Sequence, residues 1–176
     1  MAATTGWGNA PGVRVRPATV DDALVVADVY MRSWLAGYQG LVDPDELEAV
    51  ASERAEHDWQ RSLTDPASRL ALGLIDGTPA GIAKVGPDST EEVPGHWLDL
   101  LYVAPEFWGT GVASALLRWA VDQARATGAT CLWLRVVEAQ GRARRFYERE
   151  GWAYDAEVPP SQNAFFPLLC MRSDLI

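Results

Sequence analysis

Apolar and polar positions recur along the chain with two different periods, which together predict a mixture of helices and strands. The clearest helical period follows Gly111, where apolar side chains recur at steps of three and four residues: Val112, Ala115, Leu116, Trp119 and Ala120. This spacing places them on one face of a helix that packs against a core. Gly128 is expected to end that helix, because glycine readily adopts the left-handed conformation that closes helices.

The other predicted elements follow from shorter apolar runs and from turn residues. Strands are expected at 13–16, 69–75, 80–85, 97–103, 131–137, 152–154 and 166–172. Helices are expected at about 19–35, 44–63 and 140–150, and a polar loop at 86–95. The segment Asp76-Gly77-Thr78-Pro79 has the composition of a hairpin turn. A hairpin region followed by a β-α-β unit predicts an α/β (α+β) fold, with a mixed sheet and helices on both faces.

Composition and charge narrow the class of protein. The chain has 176 residues, of which 48% are hydrophobic and 22% charged, as in a single globular domain. We expect that domain at 13–176, after a flexible leader at 1–12. No apolar run approaches the roughly 18 residues that cross a membrane, and the first residues lack a signal-peptide pattern, so a cytoplasmic protein is expected. The net charge of −9 disfavours nucleic-acid binding. Cys131 and Cys170 are expected to be buried thiols, with a disulfide as the alternative.

One segment carries a candidate binding site. A strand ends at Pro105, and the chain then enters the clearest helix through Gly109 and Gly111. The free N–H groups at such a helix start carry partial positive charge and can hold a phosphate. The alternative is an ordinary glycine-rich turn that begins a core helix. The third glycine of the dinucleotide-binding motif and the lysine of the P-loop are both missing here.

A second segment makes the interpretation specific. Residues 140–152 contain Gln140, Ala143, the pair Phe146-Tyr147 and Gly151-Trp152. This stretch is similar to N-x-x-A-x-x-F-Y-x-x-x-G-F, and Trp108-x-x-Gly111-x-Ala113 is similar to R/Q-x-x-G-x-G/A. Over about residues 97–152 the chain therefore resembles the GCN5-related N-acetyltransferase (GNAT) superfamily.

The resemblance implies a fold and an activity. The fold is a mostly antiparallel central sheet of about seven strands, splayed between the fourth and fifth. The activity is direct transfer of an acetyl group from acetyl-CoA, as cosubstrate, to a primary amine of a small molecule or peptide. No metal is implied, and a homodimer is possible.

The resemblance also implies roles for individual residues. Those expected at acetyl-CoA are Leu101, Tyr102, Val103, Trp108, Gly109, Thr110, Gly111, Val112, Ala113, Ser114, Gln140, Ala143 and Arg144. Tyr147 would protonate the departing thiolate, and the cluster Arg142–Arg149 is the candidate for the 3′-phosphate. Asp99 is the first candidate for the base that accepts the amine proton, with His96 and Glu106 as alternatives, whereas His57 is expected to be merely exposed.

The sequence indicates fewer residues for the side of the site that would bind the acceptor amine. Trp34 and Tyr38, in the region that walls the acceptor site in the superfamily, are expected to face the acceptor, and residues 163–166 to shape the far wall. The acidic residues within 43–58 could steer an amine inward. The alternative is a buried helix end followed by a solvated acidic helix.

Two departures from the superfamily pattern keep other functions open. Trp108 stands where arginine or glutamine is common, and Arg135 stands where related peptide N-terminal acetyltransferases often carry a glutamate. They motivate a catalytically inactive, CoA-binding regulatory module as an alternative. Two further alternatives are an enzyme with a longer acyl group or a protein acceptor, and an interaction module without a ligand.

Overall fold

The computed structural model describes residues 12–87, 95–159 and 161–175. The expected leader, apart from Gly12, therefore lies outside the described residues, as does most of the expected polar loop. No helix within the described ranges is both long and apolar enough to cross a membrane.

Eight strands form one mixed sheet. They are β1 (Val13–Pro17), β2 (Arg69–Ile75), β3 (Thr78–Pro87), β4 (His96–Val103), β5 (Cys131–Val137), β6 (Ala153–Tyr154), β7 (Ser161–Gln162) and β8 (Pro167–Asp174). The order is β1-β2-β3-β4-β5-β8-β6, with β7 also on β8, and only the β4–β5 pair is parallel among the described strands. The predicted mixed, mostly antiparallel sheet is confirmed, and the additional strand is the two-residue β7, which is too short to leave a periodic signal.

Helices cover both faces of the sheet, as predicted. They are α1 (Ala23–Tyr38), α2 (Pro44–Ala55), α3 (Trp59–Thr64), α4 (Val112–Ala126) and α5 (Gly141–Arg149). One core contains the buried face of α4 and part of α5, and a second core contains α1 with α2 and α3. The two cysteines lie in β5 and β8 and form no disulfide with each other; Cys170 is buried, whereas Cys131 is only half-buried.

The helix expected at 44–63 is instead two helices. The Asp58 carboxylate accepts a hydrogen bond from the Arg61 N–H at 2.9 Å and so caps a new helix. Because an N-cap residue has non-helical backbone angles, a cap at Asp58 interrupts the helix that would otherwise continue through it. The first helix also differs from the prediction, since it continues through Gly37 and ends at Tyr38.

The splay between β4 and β5 is confirmed and sets the position of the site. The two strands pair only at His96–Leu132, Trp97–Trp133 and Leu98–Leu134. Beyond Leu98 they separate, while β4 stays paired to β3 as far as Val103. The second half of β4 therefore presents an open edge in the middle of the sheet.

Two facing glycines bring α4 close to the sheet. Gly73 of β2 pairs with Gly81 of β3. A Cβ atom added at Gly73 would lie 2.6 Å from Val112 Cγ2, and one added at Gly81 would lie 2.8 Å from the Tyr102 carbonyl oxygen. Because neither position has room for a side chain, the first turn of α4 lies directly against β2 and β3.

Asp22 connects β1 to the start of α1. Its carboxylate accepts hydrogen bonds from Arg16 Nη1 and Nη2, at 2.8 and 2.7 Å, and from the Thr19 N–H at 2.8 Å. The bond to Arg16 is the main cause that holds the pKa of Asp22 well below its usual range.

We predict that Asp22→Asn lowers the free energy of unfolding at pH 7 by about 1 kcal/mol, since Arg16 is partly solvated and screened. A carboxyl whose pKa is depressed in the folded state stabilises the protein fully above its unfolded pKa; that contribution declines as the pH falls below about 4 and is lost only below the lower pKa of the folded state. Urea unfolding of both proteins between neutral pH and pH 3 checks this. A deficit that stays constant as the pH falls would contradict it.

Candidate functional site

A cleft of about 670 Å³ opens where β4 and β5 separate. Its walls come from the end of α1, the second half of β4, the loop before α4, the first turn of α4, and α5. Eleven of the residues predicted from the sequence line it: Leu101, Tyr102, Val103, Trp108, Gly109, Gly111, Ala113, Ser114, Gln140, Ala143 and Tyr147. Residues far apart in sequence thus meet in one place.

The N-terminus of α4 opens into this cleft without a cap. Gly109 and Gly111 have φ values of 81° and 89°, a left-handed conformation that glycine adopts without strain. No side chain caps the helix, and within the described residues the N–H groups of Val112, Ala113 and Ser114 have no acceptor. Three free N–H groups at the positive end of a helix dipole are suited to bind an anion.

The polar side chains around this helix start are engaged elsewhere. The Thr110 hydroxyl donates to the Phe107 carbonyl at 2.7 Å, and the Ser114 hydroxyl donates to Glu150 at 2.6 Å. Neither Thr110 nor Val112 lines the cleft, and Val112 is buried against the sheet. The main chain, rather than side chains, therefore supplies the donors.

Trp108 and Arg142 form the mouth of the cleft. The Arg142 guanidinium carbon lies 3.1 Å from the centroid of the Trp108 ring, and the Trp108 indole N–H donates to the Val103 carbonyl at 2.8 Å. Burial lowers the pKa of Arg142, but a guanidinium remains charged. Among the described residues no carboxylate pairs with it. The tryptophan that departs from the superfamily pattern thus holds an unneutralised cation at the cleft.

Arg144, which was expected at acetyl-CoA, does not line the cleft. It is exposed, and it donates to the Tyr154 hydroxyl at 2.8 Å and to the Glu138 carbonyl at 3.0 Å. Helix geometry explains the exchange, because residues two apart on a helix face nearly opposite directions. Arg142 and Arg149 line the cleft instead.

Tyr147 has the environment of a proton donor. It is 8% exposed, lines the cleft, and packs against Phe146 and Trp152 with ring centroids 5.2 and 5.9 Å away. Its hydroxyl makes no hydrogen bond to any described residue. Burial raises the pKa of Tyr147 above its ordinary value, so the hydroxyl keeps its proton at neutral pH.

Gln140 joins the two sides of the cleft. Its side-chain Nε2 donates to the Gly37 carbonyl at 3.1 Å, and both residues line the cleft. The contact ties the start of α5 to the last turn of α1. Gln140 therefore fixes the distance between two walls of the cleft, which the sequence did not indicate.

A second cleft, of about 550 Å³, contains Asp99. The Asp99 carboxylate lies 3.1 Å from Lys84 Nζ. Tyr147 does not line this cleft, so the two predicted catalytic residues lie in different clefts. Tyr102 of the first cleft contacts Tyr30 of the second, with ring centroids 5.1 Å apart.

His57, which was expected only to be exposed, is exposed and also lines the second cleft. It lies in the break between α2 and α3, and its Nε2 is 2.8 Å from the Ser62 hydroxyl. Burial, and then the charge of Lys84, lower the pKa of His57, so its imidazole is neutral at pH 7. The other candidate bases lie elsewhere, since His96 contacts Thr127 and Glu106 pairs with Arg32.

Trp34 and Tyr38, which were expected to face the acceptor, are buried and line neither cleft. They are 1% and 4% exposed, and their ring centroids lie 4.9 Å apart. The Tyr38 hydroxyl accepts a hydrogen bond from Asn163 Nδ2 at 2.6 Å. They are buried because both lie on the inward face of α1. There they support the loop at 163–166, in which Ala164 lines the second cleft.

Arg135, the other departure from the superfamily pattern, lies away from both clefts. Its Nη1 donates to the Pro159 carbonyl at 2.7 Å, and its guanidinium lies over the Trp97 ring. It lines neither cleft. This difference therefore leaves the site unchanged.

Comparison with known proteins is consistent with this geometry. The acetyltransferase (GNAT) family matches residues 29–152. An uncharacterized N-acetyltransferase of Mycobacterium bovis is 30% identical over 132 residues, 74% of this chain and 83% of the relative.

Two solved structures share the fold. PaiA N-acetyltransferase of Thermoplasma acidophilum, in complex with coenzyme A, has a TM-score of 0.74 and 17% identity over 92% of this chain and 98% of its own. YncA of Salmonella typhimurium, with acetyl-CoA, has a TM-score of 0.64 and 18% identity over 93% and 94%. The splayed sheet, the uncapped helix start and the family match lead to one conclusion: this chain belongs to the acetyltransferase (GNAT) family.

Proposed function

We propose that the protein transfers an acetyl group from acetyl-CoA directly to a primary amine of a small molecule or peptide. The observation that carries the proposal is the uncapped N-terminus of α4, which opens into the cleft beside the free edge of β4. A diphosphate needs clustered N–H donors, and an extended amide-containing arm needs an unpaired strand edge. This cleft offers both.

Each part of acetyl-CoA has residues that fit it. The N–H groups of Val112, Ala113 and Ser114 would hold the pyrophosphate, together with the main chain of Gly109 and Gly111. The open edge at 101–103 would pair with the pantetheine arm, and Gln140 and Ala143 line the opposite side. Arg142 supplies a cation for a further phosphate.

In the proposed reaction, a residue of the first cleft would protonate the leaving thiolate, and residues of the second cleft would accept the proton of the amine. The neutral amine attacks the thioester carbonyl, a C–N bond forms, and the C–S bond breaks to release a thiolate. Tyr147 gives its proton to that thiolate. The amine proton leaves on the side of the second cleft, where Asp99 and the neutral imidazole of His57 are proton acceptors. The cytoplasmic location and the homodimer expected from the sequence stay predictions.

An acetyl-transfer assay tests the proposal. Acetyl-CoA is incubated with the protein and a panel of amino acids, peptides, polyamines and aminoglycosides, and acetylated products are detected by mass spectrometry alongside free thiol. We expect at least one acetylated amine formed in equal amount to the thiol. Tight acetyl-CoA binding without any product across the panel would instead support the inactive regulatory module. Preference for propionyl-CoA or a longer donor would correct the acyl group.

Arg142 provides a matched test of how the donor is held. We expect Arg142→Gln to weaken CoA binding about tenfold, the size of one lost charge-assisted hydrogen bond. Arg144→Gln, on the same helix but turned away from the cleft, should leave affinity unchanged. Calorimetric titration with CoA and dephospho-CoA measures both variants. If Arg142 contacts the 3′-phosphate, its substitution has no further effect on dephospho-CoA, and equal losses for the two variants would contradict the assignment.

A further inference from the structure

Arg54 of α2 is a cation without a carboxylate partner in the second cleft. Its Nη1 donates to the Tyr30 hydroxyl at 2.7 Å, and its guanidinium carbon lies 4.9 Å from the centroid of the Trp34 ring. Its Nε is buried and has no hydrogen-bond partner among the residues that the structure describes. Among the described residues no Asp or Glu lies within ion-pair distance of it.

Two other basic side chains near the clefts, Lys84 and Arg32, are neutralised by carboxylates. Lys84 pairs with Asp99 at 3.1 Å, and Arg32 pairs with Asp28 at 2.9 Å and with Glu106. Among the described residues, Arg54 instead contacts the Tyr30 hydroxyl and the Trp34 ring and pairs with no carboxylate, although a partly buried charge is costly unless it is paired. Most of its five N–H donors thus have no acceptor within the described residues. Such a guanidinium is suited to accept an anion supplied by a ligand.

The chemistry of the cleft identifies the kind of anion. A guanidinium presents parallel N–H groups that match the two oxygens of a carboxylate. The exposed residues Glu53 and Glu56 also line this cleft and favour a ligand that carries a positive charge as well. One ligand satisfies both when it has a carboxylate and an ammonium group, which is the composition of an amino acid.

Arg54 is also connected to the first cleft, which holds the acetyl donor in the proposed function and is called the donor cleft below. The Tyr30 ring, whose hydroxyl it contacts, packs edge-on against Tyr102 with centroids 5.1 Å apart. Tyr102 belongs to the wall of the first cleft. A carboxylate held at Arg54 would therefore lie close to the tyrosine pair at which the two clefts adjoin.

We propose that Arg54 binds the carboxylate of the acceptor, and that the acceptor class is an amino acid or a short peptide with a free carboxylate near its amine. This inference rests on the proposed acetyl transfer. It makes Arg54 a specificity-determining residue that acts on binding of the acceptor and leaves the chemical step to other groups.

The test compares each acceptor with its own carboxamide. Proteinogenic L-amino acids and the corresponding amides are assayed with acetyl-CoA, using the wild type, Arg54→Gln, Arg54→Lys and the control Arg61→Gln. Arg61 is exposed on the neighbouring helix and lines neither cleft. We expect the wild type and the control to prefer the acid at least tenfold, through KM rather than kcat, as for one charge-assisted hydrogen bond. In Arg54→Gln that preference should vanish, and Arg54→Lys, which keeps the charge over Trp34, should retain part of it.

The outcomes separate this inference from the proposed function. Acetylation of amines with equal efficiency for acids and amides, or an unchanged preference in Arg54→Gln, would overturn the role of Arg54 while leaving acetyl transfer intact. Absence of turnover with every amine would count against the proposed function. In that case NMR decides the inference: L-alanine should shift the Arg54 Nε–H resonance in the CoA-saturated protein and L-alaninamide should not. Equal or absent shifts would overturn it.

Discussion

Replacing Tyr147 by phenylalanine is expected to lower kcat about a hundredfold at pH 7, the usual scale for loss of a general acid. The hydroxyl lies in the donor cleft, makes no hydrogen bond to the described residues, and is held protonated by burial. Its removal leaves the departing thiolate without its proton donor. The rest of the ring keeps its packing against Phe146 and Trp152, so acetyl-CoA affinity and thermal stability should change little.

Steady-state kinetics and calorimetric titration measure this result, with Tyr154→Phe as the matched control. Tyr154 is exposed beside α5, and its hydroxyl contacts Arg144 and Glu148 rather than the cleft. Because burial raises the pKa of Tyr147, the wild-type rate should also not fall on the alkaline side until well above the ordinary tyrosine pKa of about 10. Unchanged kcat in Tyr147→Phe, or an equal loss in Tyr154→Phe, would show that Tyr147 is not the acid.

The second large effect is expected from Ala113→Asp. Ala113 lies in the first turn of α4 and lines the donor cleft. An aspartate there introduces a negative charge where the pyrophosphate is expected, and repulsion of several kcal/mol corresponds to at least about a hundredfold loss of CoA affinity. The same carboxylate interacts favourably with the uncapped helix N-terminus, so the free energy of unfolding should rise by about 0.5 kcal/mol.

Opposite effects on binding and stability distinguish this mechanism from general damage to the fold. Ala113→Asn is the control, because it adds nearly the same volume without the charge and should lose much less affinity. Calorimetry with acetyl-CoA and urea unfolding measure both quantities. Destabilisation of Ala113→Asp together with equal loss of affinity in Ala113→Asn would mean that size, rather than charge, disturbs the site.

Much of the fold could be predicted because its signals are local. The bounds expected for β2 and β5 match the structure, and the hairpin between β2 and β3 has its left-handed residues at Asp76 and Gly77. The helical spacing after Gly111 likewise predicts α4. The break between α2 and α3 was not predicted, although Asp58 is a residue type that favours helix starts, because the local pattern does not show that its carboxylate accepts the hydrogen bond from Arg61 N–H rather than facing solvent.

The donor cleft was predicted better than the acceptor side for a physical reason. The hydrogen-bond donors of this cleft are main-chain N–H groups that follow a loop whose glycines can be recognised in the sequence. The acceptor side depends on the direction in which each side chain leaves its helix. The presence of aromatic residues in the sequence does not show whether they point into the core or into a cleft. Trp34 and Tyr38 are therefore buried, while Arg54 and His57, which the sequence did not select, line the second cleft.

The same limit explains the arginines of α5. Their number in the sequence indicates a basic helix, but only the three-dimensional arrangement shows that Arg142 stacks on Trp108 and that Arg144 turns to Tyr154. In the sequence, Trp108 is a departure from the arginine or glutamine that is common in the superfamily at this position. In the structure it positions a cation beside the cleft instead.

The central claim is that main-chain N–H groups at the start of α4 hold the diphosphate of acetyl-CoA, and NMR of the backbone amides tests it most directly. Acetyl-CoA is titrated into labelled protein, with S-acetylpantetheine as the matched ligand that lacks the diphosphate. We predict that acetyl-CoA shifts the amide resonances of Gly109, Gly111, Val112, Ala113 and Ser114 most strongly. S-acetylpantetheine should shift resonances along β4 while leaving those five nearly unchanged. Unshifted loop amides at saturating acetyl-CoA, or equal loop shifts with both ligands, would contradict the account.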